Sequence, residues 1–114
     1  MAIGKKSIRW LDAPHLPHGW DAGYLFEVTS RTLFCGDILT QPGDAHPPVT
    51  ESDVLGPSES MRHAMEYYSN PRAAGALLEK LAMTEPVLLA CMHGAAYRGA
   101  AAAVLRELAK ELAK

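Results

Sequence analysis

Apolar and polar positions alternate from Ser7 to Asp12, with Ile8 and Trp10 out of phase with Ser7, Arg9 and Leu11. A period of two is that of an extended chain, so this run predicts a strand. Gly23 to Thr29 is apolar and aromatic, and predicts a second strand. The polar "TSR" at 29–31 reads as a turn, and Thr32 to Cys35 as a third strand, pairing with the second as an antiparallel hairpin. From Ile38 to Pro57 the pattern is lost, because Pro42, Gly43, Pro47, Pro48, Gly56 and Pro57 interrupt any period. A loop of that length in a compact domain is usually functional or mobile.

Beyond the loop the period changes to that of a helix. Met61, Ala64, Met65 and Tyr68 recur at helical spacing, and Asn70-Pro71 supplies a cap and a first-turn proline for a second helix. Ala74, Leu77, Leu78 and Leu81 form that helix's inward stripe. Pro86 to Met92 is a continuous apolar run, as in a strand covered on both faces. A last helix starts near Gly99 and turns Ala101, Leu105, Leu108 and Leu112 inward. The order is β-β-β-loop-α-α-β-α, an α/β fold in one domain spanning residues 1–114.

Composition narrows the function classes. Hydrophobic residues make up 48% of the chain, enough for a core. A net charge of −2 with a pI near 6.2 carries no basic signal for nucleic acid. No run approaches the ~20 apolar residues that span a bilayer, and "MAIGKKSIRW" lacks a signal peptide's apolar stretch. The expectation is a cytoplasmic protein with no membrane or nucleic-acid partner. Cys35 and Cys91, each inside an apolar run, read as buried free thiols rather than a disulfide.

Three polar groups fall at the ends of predicted strands: His18, Asp37 and His93. Strand ends of layered α/β proteins are where ligands gather. Neutral imidazoles and an ionised carboxylate suit Zn or Fe, and Gly94 lets the backbone approach closely. Each residue also has a structural reading, as a hydrogen-bonded histidine or as turn chemistry after Gly36. His15, His46 and Arg98 are additional candidates. His46 could equally be a solvated loop residue, and Arg98 a surface residue at a helix start. His63 reads as exposed, and Tyr67, Tyr68 and Trp20 as packing groups, Trp20 standing where it could wall the site.

Taken together, "HLPHGWDAGYLFE", "TLFCGDILTQ" and "CMHGAAYRG" resemble the C-terminal half of the metallo-β-lactamase fold. The variant most similar is the one shared by flavodiiron-type proteins and related metallo-hydrolases. The family pattern leaves 18 residues between its histidine and aspartate, as between His18 and Asp37 here. By this resemblance Asp37 bridges two metals, with His18 on one and His93 on the other; His15 competes with His18. The fold implied is half of an αβ/βα sandwich, and the chemistry implied is metal-assisted hydrolysis of an unidentified small molecule by a bound hydroxide.

The family's principal motif, His-x-His-x-Asp-His, does not occur in this sequence. The resemblance therefore implies a truncated form supplying part of a binuclear site and inactive alone, or holding no metal. The missing N-terminal half would come from another chain. The rival reading is a catalytically inert assembly module. Half a sandwich leaves a sheet face uncovered, and such a face predicts a homo-oligomer. A flavodiiron-type electron-transfer role would need a glutamate ligand and a flavin partner.

Overall fold

The computed structural model describes residues 1–19 and 22–114. Strands β1 (Ala2–Ile3), β2 (Lys6–Asp12), β3 (Gly23–Glu27) and β4 (Thr32–Gly36) come first, then β5 (Val49–Thr50) and helix α1 (Leu55–Ala64). A 3₁₀ turn (Pro71–Ala73), α2 (Gly75–Ala82), β6 (Leu88–Cys91), β7 (Ala96–Arg98) and α3 (Ala101–Ala113) complete the chain. The strands form one sheet in the order β1-β2-β3-β4-β6-β7-β5. Strands β1 to β4 are antiparallel neighbours, as the hairpin pattern predicts, and β4 pairs with β6 in parallel. Parallel neighbours need a long crossover, and the segment containing α1 and α2 provides it.

Alternation decides which side of the sheet is covered. Leu11, Tyr24, Phe26, Leu33, Cys35 and Leu89 point one way and are buried in a common core with the helices. Helix α3 buries Ala101, Leu105, Leu108 and Leu112, the predicted stripe, and α2 buries Leu78, Leu81 and Ala82. Arg106 clamps α3 to α2 by two hydrogen bonds to Glu79, at 2.9 and 3.0 Å. Lys80 Nζ ties α2 to the Asp12 carbonyl on β2 at 2.7 Å.

The opposite side of the sheet is open. The register lines up Trp10, Leu25, Phe34 and Ala90 across four strands. Trp10 and Phe34 are 60% and 48% exposed, and Met92, just past β6, is 71% exposed. Strand β6 is thus covered on one face, not both. Its continuous apolar run reflects a second face that is greasy but bare.

Several element limits differ from the pattern's prediction. Strand β3 stops at Glu27, not Thr29, because the Glu27 carboxylate accepts the backbone N–H groups of Thr29 and Ser30 and turns the chain. The 38–57 segment is not all loop. It contributes β5, and α1 begins at Leu55. Pro57 is a first-turn residue there, where its missing N–H is no loss. Asp53 accepts the N–H groups of Leu55 and Gly56 just before it.

Helix α1 also buries a face that periodicity did not predict: Ser58, Glu59 and Arg62, while Met65 is 66% exposed. Arg62 is satisfied by Glu59 and Glu66, at 2.8 Å each, so its charge can be buried. Pro71 opens only a 3₁₀ turn before α2 starts at Gly75. The two-residue β1 and three-residue β7 were too short to show a period.

Candidate functional site

Strand β2 leads into a loop whose Leu16 is wholly buried. That anchor fixes His18. The Leu16 carbonyl accepts the Tyr24 hydroxyl, and the Pro17 carbonyl accepts the Ser69 N–H at 2.7 Å. Burial, and then the nearby Cys35 and Asp37, push the Tyr24 hydroxyl well above its ordinary range, so it stays a donor. The Tyr67 ring lies 6.5 Å from the His18 ring, between centroids.

Asp37 follows β4 at a tight turn. Gly36 takes φ +53°, and the Ile38 N–H returns to the Cys35 carbonyl at 3.0 Å. Thr40 Oγ1 donates to the Asp37 carbonyl at 2.6 Å, holding the turn from the far side. The parallel β4–β6 pairing then brings His93, at the end of β6, to the same edge; the Met92 N–H donates to the Gly36 carbonyl at 2.8 Å.

The three residues from distant parts of the sequence meet at Asp37. His18 Nε2 is hydrogen-bonded to Asp37 Oδ2 at 2.7 Å. His93 Nε2 stands 3.4 Å from Oδ1, within ion-pair reach but outside hydrogen-bond geometry. Oδ1 is buried and has no hydrogen-bond partner among the described residues. A buried carboxylate oxygen without a partner costs free energy unless something electropositive faces it. As the side chains stand, among the described residues no group of three or more His, Cys, Asp or Glu has closed into a metal-holding arrangement. The donor chemistry nonetheless fits a cation: two imidazoles on different oxygens of one carboxylate, beside a cleft of about 170 Å³ that touches His18, Asp37 and Met92.

The other candidates are not brought to this point. His15 is exposed with φ +63°, and its carbonyl accepts the Ser69 hydroxyl at 3.2 Å. His46 is bonded to the Pro42 carbonyl within its own loop at 2.8 Å. Arg98 ends β7 on the surface, and His63 is exposed on α1. Tyr68 belongs to the core and Tyr67 packs on it, as expected of packing groups. Trp20 lies outside the described residues. Cys35 is buried and Cys91 half-buried, both free, and burial raises both thiols above their ordinary range.

One residue that positions the site escaped sequence reasoning. Gln41, almost wholly buried, donates through its backbone N–H to the His93 carbonyl at 2.9 Å. Its amide accepts the Ala95 N–H at 3.2 Å and donates to the Ala95 carbonyl at 3.1 Å. Gly94 lies against it with φ +112°, where a Cβ would stand 2.7 Å from Gln41 Cβ and Cδ. The His93 turn is therefore keyed to this glutamine. Its only signal in the sequence was an amide close behind Asp37.

No protein-family model matches the chain, and no curated protein does. Solved structures do. The chain is similar to the chemotaxis sensor ODP, solved as a peroxy diiron species (TM-score 0.75, 18% identity), covering 99% of this chain and 47% of that one. The apo state of ODP from T. denticola gives a TM-score of 0.71 at 17% identity, with 99% and 46% covered. Rubredoxin oxygen:oxidoreductase from Desulfovibrio gigas gives 0.73 at 19% identity, covering 98% of this chain and 29% of that one. This chain thus spans about half the length of the sensor and under a third of the oxidoreductase. The fold is half of the αβ/βα metallo-β-lactamase sandwich, and the neighbours correct the metallo-hydrolase assignment. They are described as a chemotaxis sensor holding a diiron species and as an oxidoreductase.

Proposed function

We propose that this chain binds iron at the sheet edge through His18, Asp37 and His93, as one half of a binuclear non-haem site. The observation that carries the reading is Asp37 itself. It sits between two imidazole nitrogens, one on each oxygen, with Oδ1 buried and unbonded. Imidazole nitrogens and carboxylate oxygens are donors that non-haem iron accepts. The diiron description of the ODP sensor favours iron over zinc.

Each residue has a distinct task. Asp37 would supply carboxylate oxygens to the metal, and His18 and His93, standing on either side of it, would supply imidazole nitrogens. Gln41 and Gly94 hold the His93 turn, and Tyr24 fixes the loop that carries His18. When bound, iron supplies Lewis acidity and redox capacity at this edge. Three donors per chain leave coordination positions to be filled by other groups, which is the chemistry of a partial site.

The test is metal content. The chain is loaded anaerobically with ferrous iron, freed of excess by gel filtration, and analysed for iron by elemental analysis. Wild type retains iron, while Asp37→Ala loses it and His15→Ala does not. An iron-free wild type, or an Asp37→Ala protein that holds as much as wild type, refutes the assignment.

A further inference from the structure

The open side of the sheet carries two cross-strand rows. Trp10, Leu25, Phe34 and Ala90 make one, and Ile8, Glu27, Thr32 and Leu88 the other. Trp10 and Phe34 alone leave roughly 200 Å² open, taking ~150–250 Å² for an aromatic side chain. Met92 and the partly open Leu25 extend it to a contiguous apolar patch of a few hundred Å², the size that on a soluble protein often marks an interaction site. A sandwich covers such a face with a second sheet, about 10 Å away.

We propose that the second sheet is another copy of this chain, related by a two-fold axis parallel to the strands and lying between β3 and β4. The order of side chains favours this axis. It sets the position of Trp10 over that of Ala90 and Leu25 over Phe34, so that in each case a larger residue meets a smaller one. In the second row it sets Ile8 over Leu88, apolar on apolar, while Thr32 is buried in its own subunit and the Glu27 carboxylate is held in its own turn, so those two add nothing to the contact. An isologous interface requires a surface complementary to itself, and the first row together with the Ile8–Leu88 pair meets that requirement.

The same axis has a consequence at the site. Because it runs along the strands, it keeps the β4 and β6 ends of both copies on one edge, so two sets of His18, Asp37 and His93 share that edge. This consequence rests on the iron reading; the interface does not.

Light scattering of the chain in EDTA is expected to give twice the 12.3 kDa subunit mass at micromolar concentration. Phe34→Arg and Trp10→Glu, both on the open face, halve it, with circular dichroism unchanged. Ala90→Trp alone also halves it by setting indole against indole. The double variant Trp10→Ala/Ala90→Trp exchanges large for small and restores the dimer. Asp37→Ala stays dimeric, which separates this proposal from the metal assignment. A monomeric wild type overturns the proposal, including one that binds only a longer chain carrying the other half of the sandwich. So does a dimer that survives Phe34→Arg, Trp10→Glu and Ala90→Trp.

Discussion

His93 is held in place by a residue that is not among the proposed donors. The His93 turn depends on Gln41, which accepts the Ala95 N–H with its side chain while its backbone holds the His93 carbonyl. Gln41→Ala leaves the Ala95 N–H without an acceptor, whereas the Ala95 carbonyl keeps the Cys91 thiol at 3.2 Å. One orphaned buried donor costs ~1–3 kcal/mol. Gly94→Ala is expected to cost at least as much, since it places a Cβ against Gln41 at φ +112°. Urea denaturation measures both losses, and a Gln41→Ala midpoint equal to wild type would remove the glutamine from this role. The meeting of His18, Asp37 and His93 at one edge was legible in the sequence because each stands just past a strand, Asp37 and His93 after apolar runs ending at a glycine and His18 in the proline- and glycine-rich loop after the alternating run. Gln41 was not, because its partner Ala95 lies 54 residues away and a single amide leaves no periodic trace.

At the scale of elements, β3, β4 and the last two helices could be read from periodicity because one face of each is buried in a single core, whereas the alternation that gave β2 away came from Ile8 and Trp10 on the open face. Helix α1 misled the same reading. Its buried face holds Arg62 with Glu59, and a pattern that equates burial with hydrophobicity turns such a helix the wrong way. Short edge strands such as β5 were invisible because pairing with β7, not a buried stripe, defines them. The β3–β4 turn makes a prediction of its own. The N–H groups of Ser30 and Thr29 hold the Glu27 carboxyl down at about 2, against an ordinary 4.5. A folded-state value below the unfolded one means the stabilisation is complete above pH 4.5 and is lost as the pH falls from there toward 2. Glu27→Gln should therefore flatten the dependence of the urea midpoint on pH within that window. A wild type and a variant that lose stability in parallel between pH 4.5 and 2.5 would show that the turn contributes nothing.

At the scale of the molecule, the sheet is two surfaces with different thermodynamic roles. The helix side is a closed core in which Leu105 is fully buried. Leu105→Ala should cost ~2–5 kcal/mol and lower Tm by about 10 °C or more. That loss belongs to the subunit's own folding, so it should be the same at every protein concentration. The open side behaves otherwise. If a second copy covers Trp10 and Phe34, folding and association are linked, and Tm must rise with concentration by mass action. Phe34→Ala removes an aromatic ring that is half exposed in the single subunit. It therefore leaves the dilute-limit Tm near that of wild type while abolishing the rise. Calorimetric scans over a hundredfold range of concentration separate the two surfaces. Parallel shifts for Leu105→Ala and a flat line for Phe34→Ala are the expected pair. A wild-type Tm independent of concentration would mean that the open face is not buried by another copy.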